Sequence, residues 1–397
     1  MREAVIVEAV RTPVGRGKPG GALSGLHAVE LLASALSALV ARSGIDPELV
    51  DDVLVGCVSQ AGEQAACPGR LAWLAAGLPE TVPATTIDRR CGSSQQAAHF
   101  AAQGVMSGAY DIAIAAGLES MSRVPMGSAR MGQDGHGPSA EARYAPGLVS
   151  QGVAAELMAA RWKLSRGQLD EYSARSHERA AVTAAVGGFE PEIAPVRVPA
   201  HDGTRDVVSA DETIRPGTSA DALSRLRPSF RTEEMERRFP QIGWHITAGN
   251  SSQLADAAAA VLVMSATRAA GLGLRARARF HSFSVCGDDP ILMLSGPIRA
   301  TEKVLDRAGL RIDDIDVAEI NEAFAPVPLA WQAEFGFPGD RLNPRGGAIA
   351  LGHPLGASGV RLMTTMLHHL EATGGRYGLQ AMCEGGGMAN ATIIERL

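Results

Sequence analysis

Near its start the chain reads Ala4-Val5-Ile6-Val7-Glu8-Ala9, a short β-branched run that predicts a strand over 4–9. From 26 to 43 apolar side chains return every three or four positions, which predicts a helix. The alternation continues. A strand is expected over 53–58, and a helix over 93–106 with Ala97, Phe100, Ala101 and Val105 on one stripe. The wholly apolar 112–116 reads as a strand covered on both faces. Strands alternating with helices are the pattern of an α/β protein.

The second part of the chain repeats this plan. Gly44-Ile45-Asp46-Pro47-Glu48-Leu49-Val50-Asp51-Asp52-Val53 is matched by Gly309-Leu310-Arg311-Ile312-Asp313-Asp314-Ile315-Asp316-Val317, each after an amphipathic stretch and before a strand-like one. The unit around Cys91 has a counterpart over 342–382, so two similar α/β halves are expected. Between them the character changes. Gly, Pro, Met and charge dominate 123–148, a polar helix is expected over 154–185, and 187–228 is rich in turn residues. Such an insertion is where binding specificity resides. Over 252–266 the pattern reads as a buried, Ala-rich helix.

With 397 residues the chain can form one large core or two fused domains. Aromatics at 4% and 45 glycines favour close packing of helices on sheets. A net charge of -6 offers no basic field, so nucleic acid is excluded as a partner and an anionic ligand must be held by local Arg and N–H groups. The first residues lack a basic-then-apolar leader, and no apolar run is long enough to cross a bilayer, so a cytoplasmic protein without a membrane is expected. Cys57, Cys67, Cys91, Cys286 and Cys383 form no C-x-x-C pair, which points to reduced thiols and no metal site.

Four loops concentrate the chemistry. In Asp88-Arg89-Arg90-Cys91-Gly92-Ser93 a cysteine stands at a predicted helix start, where unpaired N–H groups and the dipole favour a thiolate. A lowered Cys91 pKa is therefore expected, although a cysteine chosen at random is more often a small buried hydrophobe. Asn321-Glu322-Ala323-Phe324 follows a strand's C-terminal end, where α/β proteins hold ligands, yet Asn321 would serve equally as a helix cap. His353 lies in a loop of small residues from Gly346 to Gly359 that lacks the Lys of a phosphate loop. Cys383 leads Glu384 and three glycines whose N–H groups can turn towards an oxyanion.

In this order and spacing, Cys-x-Ser, Asn-Glu-Ala-Phe, Gly-His-Pro and Cys-x-Gly resemble the thiolase family. The likeness covers essentially the whole chain, including Glu8-Ala9-Val10-Arg11-Thr12-Pro13 and Thr247-Ala248-Gly249-Asn250-Ser251-Ser252. It implies the thiolase fold: α/β, two similar βαβαβαββ halves in a five-layer α-β-α-β-α sandwich, and an inserted loop domain. The implied division is 1–118 completed by 246–268, a loop domain for coenzyme A and substrate over 119–245, and a C-terminal half over 269–397.

The resemblance also implies roles. Cys91 would carry the acyl group, His353 would activate it, and Cys383 would move the proton on the α-carbon. Asn321 would hold a water in one oxyanion hole, the N–H groups of Cys91 and Gly385 would form another, and Glu322 would orient the set. Arg215 and Ser252 are the implied coenzyme A contacts, with Phe230 and Met293 lining the pantetheine and acyl channel and Ala323 and Phe324 as further coenzyme A or substrate contacts. Coenzyme A would be a co-substrate with acyl-CoA, with no permanent cofactor, in a homodimer or homotetramer.

Two departures bear on the substrate. Ser150-Gln151-Gly152 replaces the family's frequent His-Met-Gly, and Leu294-Ser295-Gly296-Pro297 replaces the Gly-rich turn of small-substrate members. The loop Cys91-Gly92-Ser93-Ser94-Gln95-Gln96 is similar to those of actinobacterial thiolases of steroid and bulky acyl-CoA breakdown. Degradation of a medium, branched or polycyclic 3-ketoacyl-CoA, from fatty acid or steroid breakdown, is therefore expected ahead of short-chain biosynthesis. The competing expectations are a condensing ketosynthase, which pairs its Cys with two His or with a His and an Asn, and a non-catalytic acyl-CoA- or lipid-binding relative lacking one of the four loops.

Overall fold

The computed structural model describes residues 2–199 and 205–397, so Met1 and part of the turn-rich stretch, 200–204, lie outside the described residues. The principal strands are β1 (Ala4–Arg11), β2 (Asp52–Gly56), β3 (Ala84–Ile87), β4 (Ile112–Ser120), β5 (Ala255–Ser265), β6 (Ala278–Gly287), β7 (Val317–Ile320), β8 (Tyr377–Glu384) and β9 (Met388–Arg396). The larger helices are α1 (Ala28–Ser43), α2 (Pro68–Ala75), α3 (Ser93–Ser107), α4 (Gln151–Arg161), α5 (Arg166–Ala185), α6 (Gly296–Ala308), α7 (Pro326–Phe335) and α8 (Ser358–Thr373).

The strands form one sheet path, β7-β8-β9-β6-β1-β5-β4-β2-β3. Counted outward from its middle, the path is the same on both sides. β1, β5 and β4 pair antiparallel, then β4, β2 and β3 pair parallel. On the other side β6, β9 and β8 pair antiparallel, β8 and β7 pair parallel, and a parallel bridge from Ala318 to Leu342 stands where β3 stands in the first half. The halves join where Val5 and Ile6 meet Arg279 and Ala278. The repeated sequence motif explains part of this symmetry. Gly44 and Gly309 end α1 and α6 at φ 67° and 65°, and a one-turn 3-10 helix then leads into β2 and β7.

Packing sorts the helices into layers. Leu32 and Leu36 of α1 and Trp73 of α2 cover Val53, Ile114 and Leu262 on one outer face. Between the two half-sheets lie α3 and α8, whose Ala97, Ala101, Val105, Val360, Met363 and Leu367 meet Ala113, Val261, Phe280 and Ile394. Beyond the second half-sheet, Val304 of α6 and Trp331 of α7 pack on Ile320, Leu379 and Ile393, together with α4 and α5. The result is helix, sheet, helix, sheet, helix, as the resemblance implied. The central helices cross at backbone contact: a Cβ on Gly359 would stand 2.2 Å from the Gln95 backbone nitrogen.

Three expectations are corrected. Residues 255–265 form a strand, not a helix. β5 lies between β1 and β4 with both faces buried, which removes the polar alternation that marks a strand, and its alanines let helices approach on either side. The helix expected over 154–185 is two helices, broken where Lys163 takes φ 52° and Ser165 starts α5 with a capping box to Gln168. Phe100 leaves the buried stripe and is 42% exposed, because α3 turns only its alanine and Val105 face to the core. Among the described residues no helix is long and apolar enough to cross a membrane.

Candidate active site

Cys91 sits in the turn from β3 into α3. Arg90 takes the left-handed φ 50°, and Ser93 Oγ closes the turn by accepting from Arg89 N–H at 2.9 Å and donating to Arg90 O at 2.5 Å. Gly92 is required there: a Cβ would lie 2.0 Å from Glu384 Oε1 and 2.7 Å from Asn390 Nδ2. Cys91 is buried, and the expected lowering of its pKa is overturned. Burial first, then the Glu384 carboxyl, push the thiol up to about 12. They outweigh the N–H groups of Gly385 and of Cys91 itself, which hydrogen bond to the sulfur.

Cys383, near the end of β8, is also buried. Burial and the neighbouring Cys91 push its thiol far up, opposed by a hydrogen bond from the Asn321 side chain. Asn321 follows β7, and its Nδ2 also stands 3.4 Å from His353 Nε2. Its Oδ1 is buried and has no hydrogen-bond partner among the described residues.

His353 is held by its backbone N–H, which donates to Gln253 O at 2.8 Å. Its Nδ1 lies 2.6 Å from Ser358 Oγ, which itself donates to Pro354 O at 2.9 Å. The hydroxyl has one proton, so Nδ1 carries the imidazole proton and Nε2 keeps its lone pair. Burial and Arg361 push this ring down to about 3, and it is neutral at physiological pH.

Glu322 is spent on structure. It accepts from Tyr172 Oη at 2.8 Å, Ser176 Oγ at 2.7 Å, Asn343 Nδ2 at 3.1 Å and Ile349 N–H at 3.0 Å. It therefore fastens the Asn321 loop to α5 and to the short helix ahead of His353, which makes it a positioning residue.

The expected ligand contacts divide into two groups. The Phe230 ring covers Gly152, whose Cβ would fall 2.3 Å from it, and meets Phe324 edge-on at 6.0 Å. Phe324, Ala323 and Met293 share this core. Ser252 N–H donates to Ala323 O at 3.0 Å. Arg215 is exposed and donates from Nη2 to Gln253 Oε1 at 2.9 Å, so it reaches the catalytic loop through the residue that anchors His353.

Sequence reasoning missed Ser358, Gln253 and Glu384. Ser358 resembles an ordinary residue at a helix start, and Gln253 gives no local signal. Glu384 did leave one, a charged residue at the end of an otherwise uncharged strand.

Comparisons with known proteins bear on the family and the fold. The family model described as thiolase, N-terminal domain, matches residues 4–267, and that described as thiolase, C-terminal domain, matches 274–396. A steroid 3-ketoacyl-CoA thiolase of Mycobacterium tuberculosis is 49% identical, with 100% of this chain and 95% of that protein covered. A 3-ketoacyl-CoA thiolase of Pseudoalteromonas translucida is 43% identical, with both chains fully covered. The crystal structure of the Bacillus anthracis acetyl-CoA acetyltransferase matches with a TM-score of 0.89 at 34% identity, covering 100% of this chain and 99% of that one.

Proposed function

The chain belongs to the thiolase family of acyltransferases, and from that premise we propose that it splits a 3-ketoacyl-CoA with coenzyme A through an acyl group carried on Cys91. The observation that carries this reading is the pair of buried thiols with separate partners. Cys91 receives the N–H groups of Gly385 and Cys91, while Cys383 receives Asn321.

The steps follow from those partners. In the free protein the Cys91 thiol and the His353 imidazole are both neutral, so in this reading the proton leaves Cys91 for His353 Nε2 only as the sulfur attacks the 3-keto carbon. The tetrahedral oxyanion then collapses, the bond between the α- and β-carbons breaks, and an acetyl-CoA enolate leaves. Donors fixed in place beforehand stabilise that enolate without reorganisation. Cys383 gives its proton to the enolate carbon. Its thiolate next takes the proton of an incoming coenzyme A thiol, which attacks the acyl thioester, and His353 returns the proton to the departing Cys91 sulfur. Protons and electrons balance over the cycle, which splits one hard step into two. Coenzyme A is a substrate here, and the cycle uses no permanent cofactor.

For the acyl part we favour a bulky, ring-bearing or branched group. The name of the relative in Mycobacterium tuberculosis supports this, as does Gln151 in place of the family's frequent Met. The assembly we infer is a homodimer or a tetramer of two dimers. Thiolysis of acetoacetyl-CoA, measured beside that of a steroid side-chain 3-ketoacyl-CoA, tests the substrate class; a strong preference for acetoacetyl-CoA overturns it. Cys91→Ala and Cys383→Ala should each abolish thiolysis, and survival of activity in both would refute the mechanism.

A further inference from the structure

The steps above leave Glu384 unused. Its carboxyl group is wholly buried between Cys383 and Gly385, and neither oxygen has a hydrogen-bond partner among the described residues. Oε1 presses against Gly92, where a Cβ would come within 2.0 Å of it. Asn390 shares the spot: its Nδ2 would be 2.7 Å from the same Cβ and donates to Gly92 O at 3.1 Å. In the β8–β9 ladder Glu384 pairs with Met388 and Met382 with Asn390, so Glu384 and Asn390 are diagonal neighbours on one sheet face. Two strand side chains thus form the floor under the turn that carries the nucleophile.

We propose that Glu384 is a positioning residue for Cys91: its carboxyl group, seated under Gly92, holds the thiol-bearing turn and sets the electrostatic field at the Cys91 sulfur. The proposal rests on the reading of Cys91 as the acyl carrier. A carboxylate without donors in a dry site is costly, so the uncharged acid is favoured. Burial pushes Glu384 up to about 8, with Arg89 opposing and Asp88 adding to the shift. The other titratable groups that sense it are Cys91 in the same turn, Cys383 beside it on β8 and Cys286 on β6. Asn390 Oδ1 on the adjacent strand is likewise buried and without a partner among the described residues. The sign is then fixed. Below about pH 8 the neutral acid leaves the sulfur free to become anionic during attack, and above it a second negative charge beneath Gly92 opposes that charge.

The test reads the thiol directly, by peptide-resolved alkylation of Cys91 with iodoacetamide from pH 6 to 9.5, alongside thiolysis. In the wild type the logarithm of the alkylation rate should fall about half a unit behind a straight rise on passing through about pH 8, where Glu384 ionises. Glu384→Gln keeps the shape without the charge. Its rate should go on rising and exceed the wild type by about threefold or more at pH 9, the equivalent of about half a pKa unit. The alkaline limb of kcat should shift with it while KM stays nearly fixed. Identical profiles in the two proteins would overturn the proposal. If the variant does not fold, the wild-type profile decides alone, because a straight rise of the logarithm with pH, without that offset, also overturns it. Thiolysis that survives Cys91→Ala refutes the acyl-carrier reading instead, and leaves the alkylation result standing.

Discussion

The Ser358 hydroxyl and the His353 imidazole form a directional pair: the hydroxyl gives its proton to Pro354 O, so the ring must give its own from Nδ1. Ser358→Ala removes the acceptor and lets the ring carry its proton on either nitrogen. The expected loss in kcat is about 10- to 100-fold, smaller than that of His353→Ala. Steady-state thiolysis of both variants checks the ranking.

Arg11 is the most heavily committed buried cation. Its Nε meets Glu192 at 2.6 Å, and Nη1 and Nη2 meet Asp211 at 2.7 and 2.9 Å, all fully buried. Arg11→Met would strand two carboxylates, with an expected loss of about 3–5 kcal/mol of stability in urea melts. Arg11→Lys should lose less, since it keeps the charge but not the fork.

Gly359→Ala should open the crossing of α3 and α8, because the new methyl would sit 2.2 Å from a backbone nitrogen that cannot move aside alone. A loss of about 1–3 kcal/mol is expected. Activity should fall as well, since Cys91 and Ser358 lie at the starts of these two helices. Gly25→Ala, with nothing within 4 Å, is the control and should change neither.

Four largely buried histidines contribute a stability that acid removes. Burial pushes His99 and His353 down to about 3, and His177 and His369 down to about 4. Between their unfolded value of 6.5 and these folded values, only the unfolded chain binds the protons. Their contribution is therefore complete above pH 6.5 and is lost progressively as pH falls towards 4, while Glu319 and Glu384, pushed up to about 8 by burial, and Asp256, pushed up to about 6, gain protons in the folded state and offset it. A single substitution isolates one share: His99→Gln should lose less Tm than the wild type between pH 6.5 and 4, and an unchanged loss would contradict the His99 shift.

Much of this was legible in the sequence because the signals were local. Cys91, Asn321, His353 and Cys383 each sit at the end of a strand or the start of a helix, and the loops betray themselves by glycine. The Gly44 and Gly309 motifs announced the repeat, since each ends a helix with a left-handed glycine. What failed depended on burial. β5 looked helical because its environment is apolar on both sides, and Cys91 looked acidic because the helix start is visible in sequence while the neighbouring Glu384 carboxyl and the dry surroundings are not. Gln253 acts through contacts to Arg215 and to the His353 backbone, which no spacing rule relates.

The matched halves put the same corner of one architectural unit to two uses. The segment entering the central helix of the first copy carries a thiol, Cys91, and the segment entering that of the second carries His353 and Ser358. The end of the fourth strand is reused likewise. Glu119 in the first copy accepts from Gly356 N–H at 2.8 Å and so braces the His353 loop, while Cys383 in the second copy holds a thiol. Neither copy is a spare for the other. Each position that duplication supplied twice now does a different job within one shared site, so damage to either half is damage to the whole and has no backup.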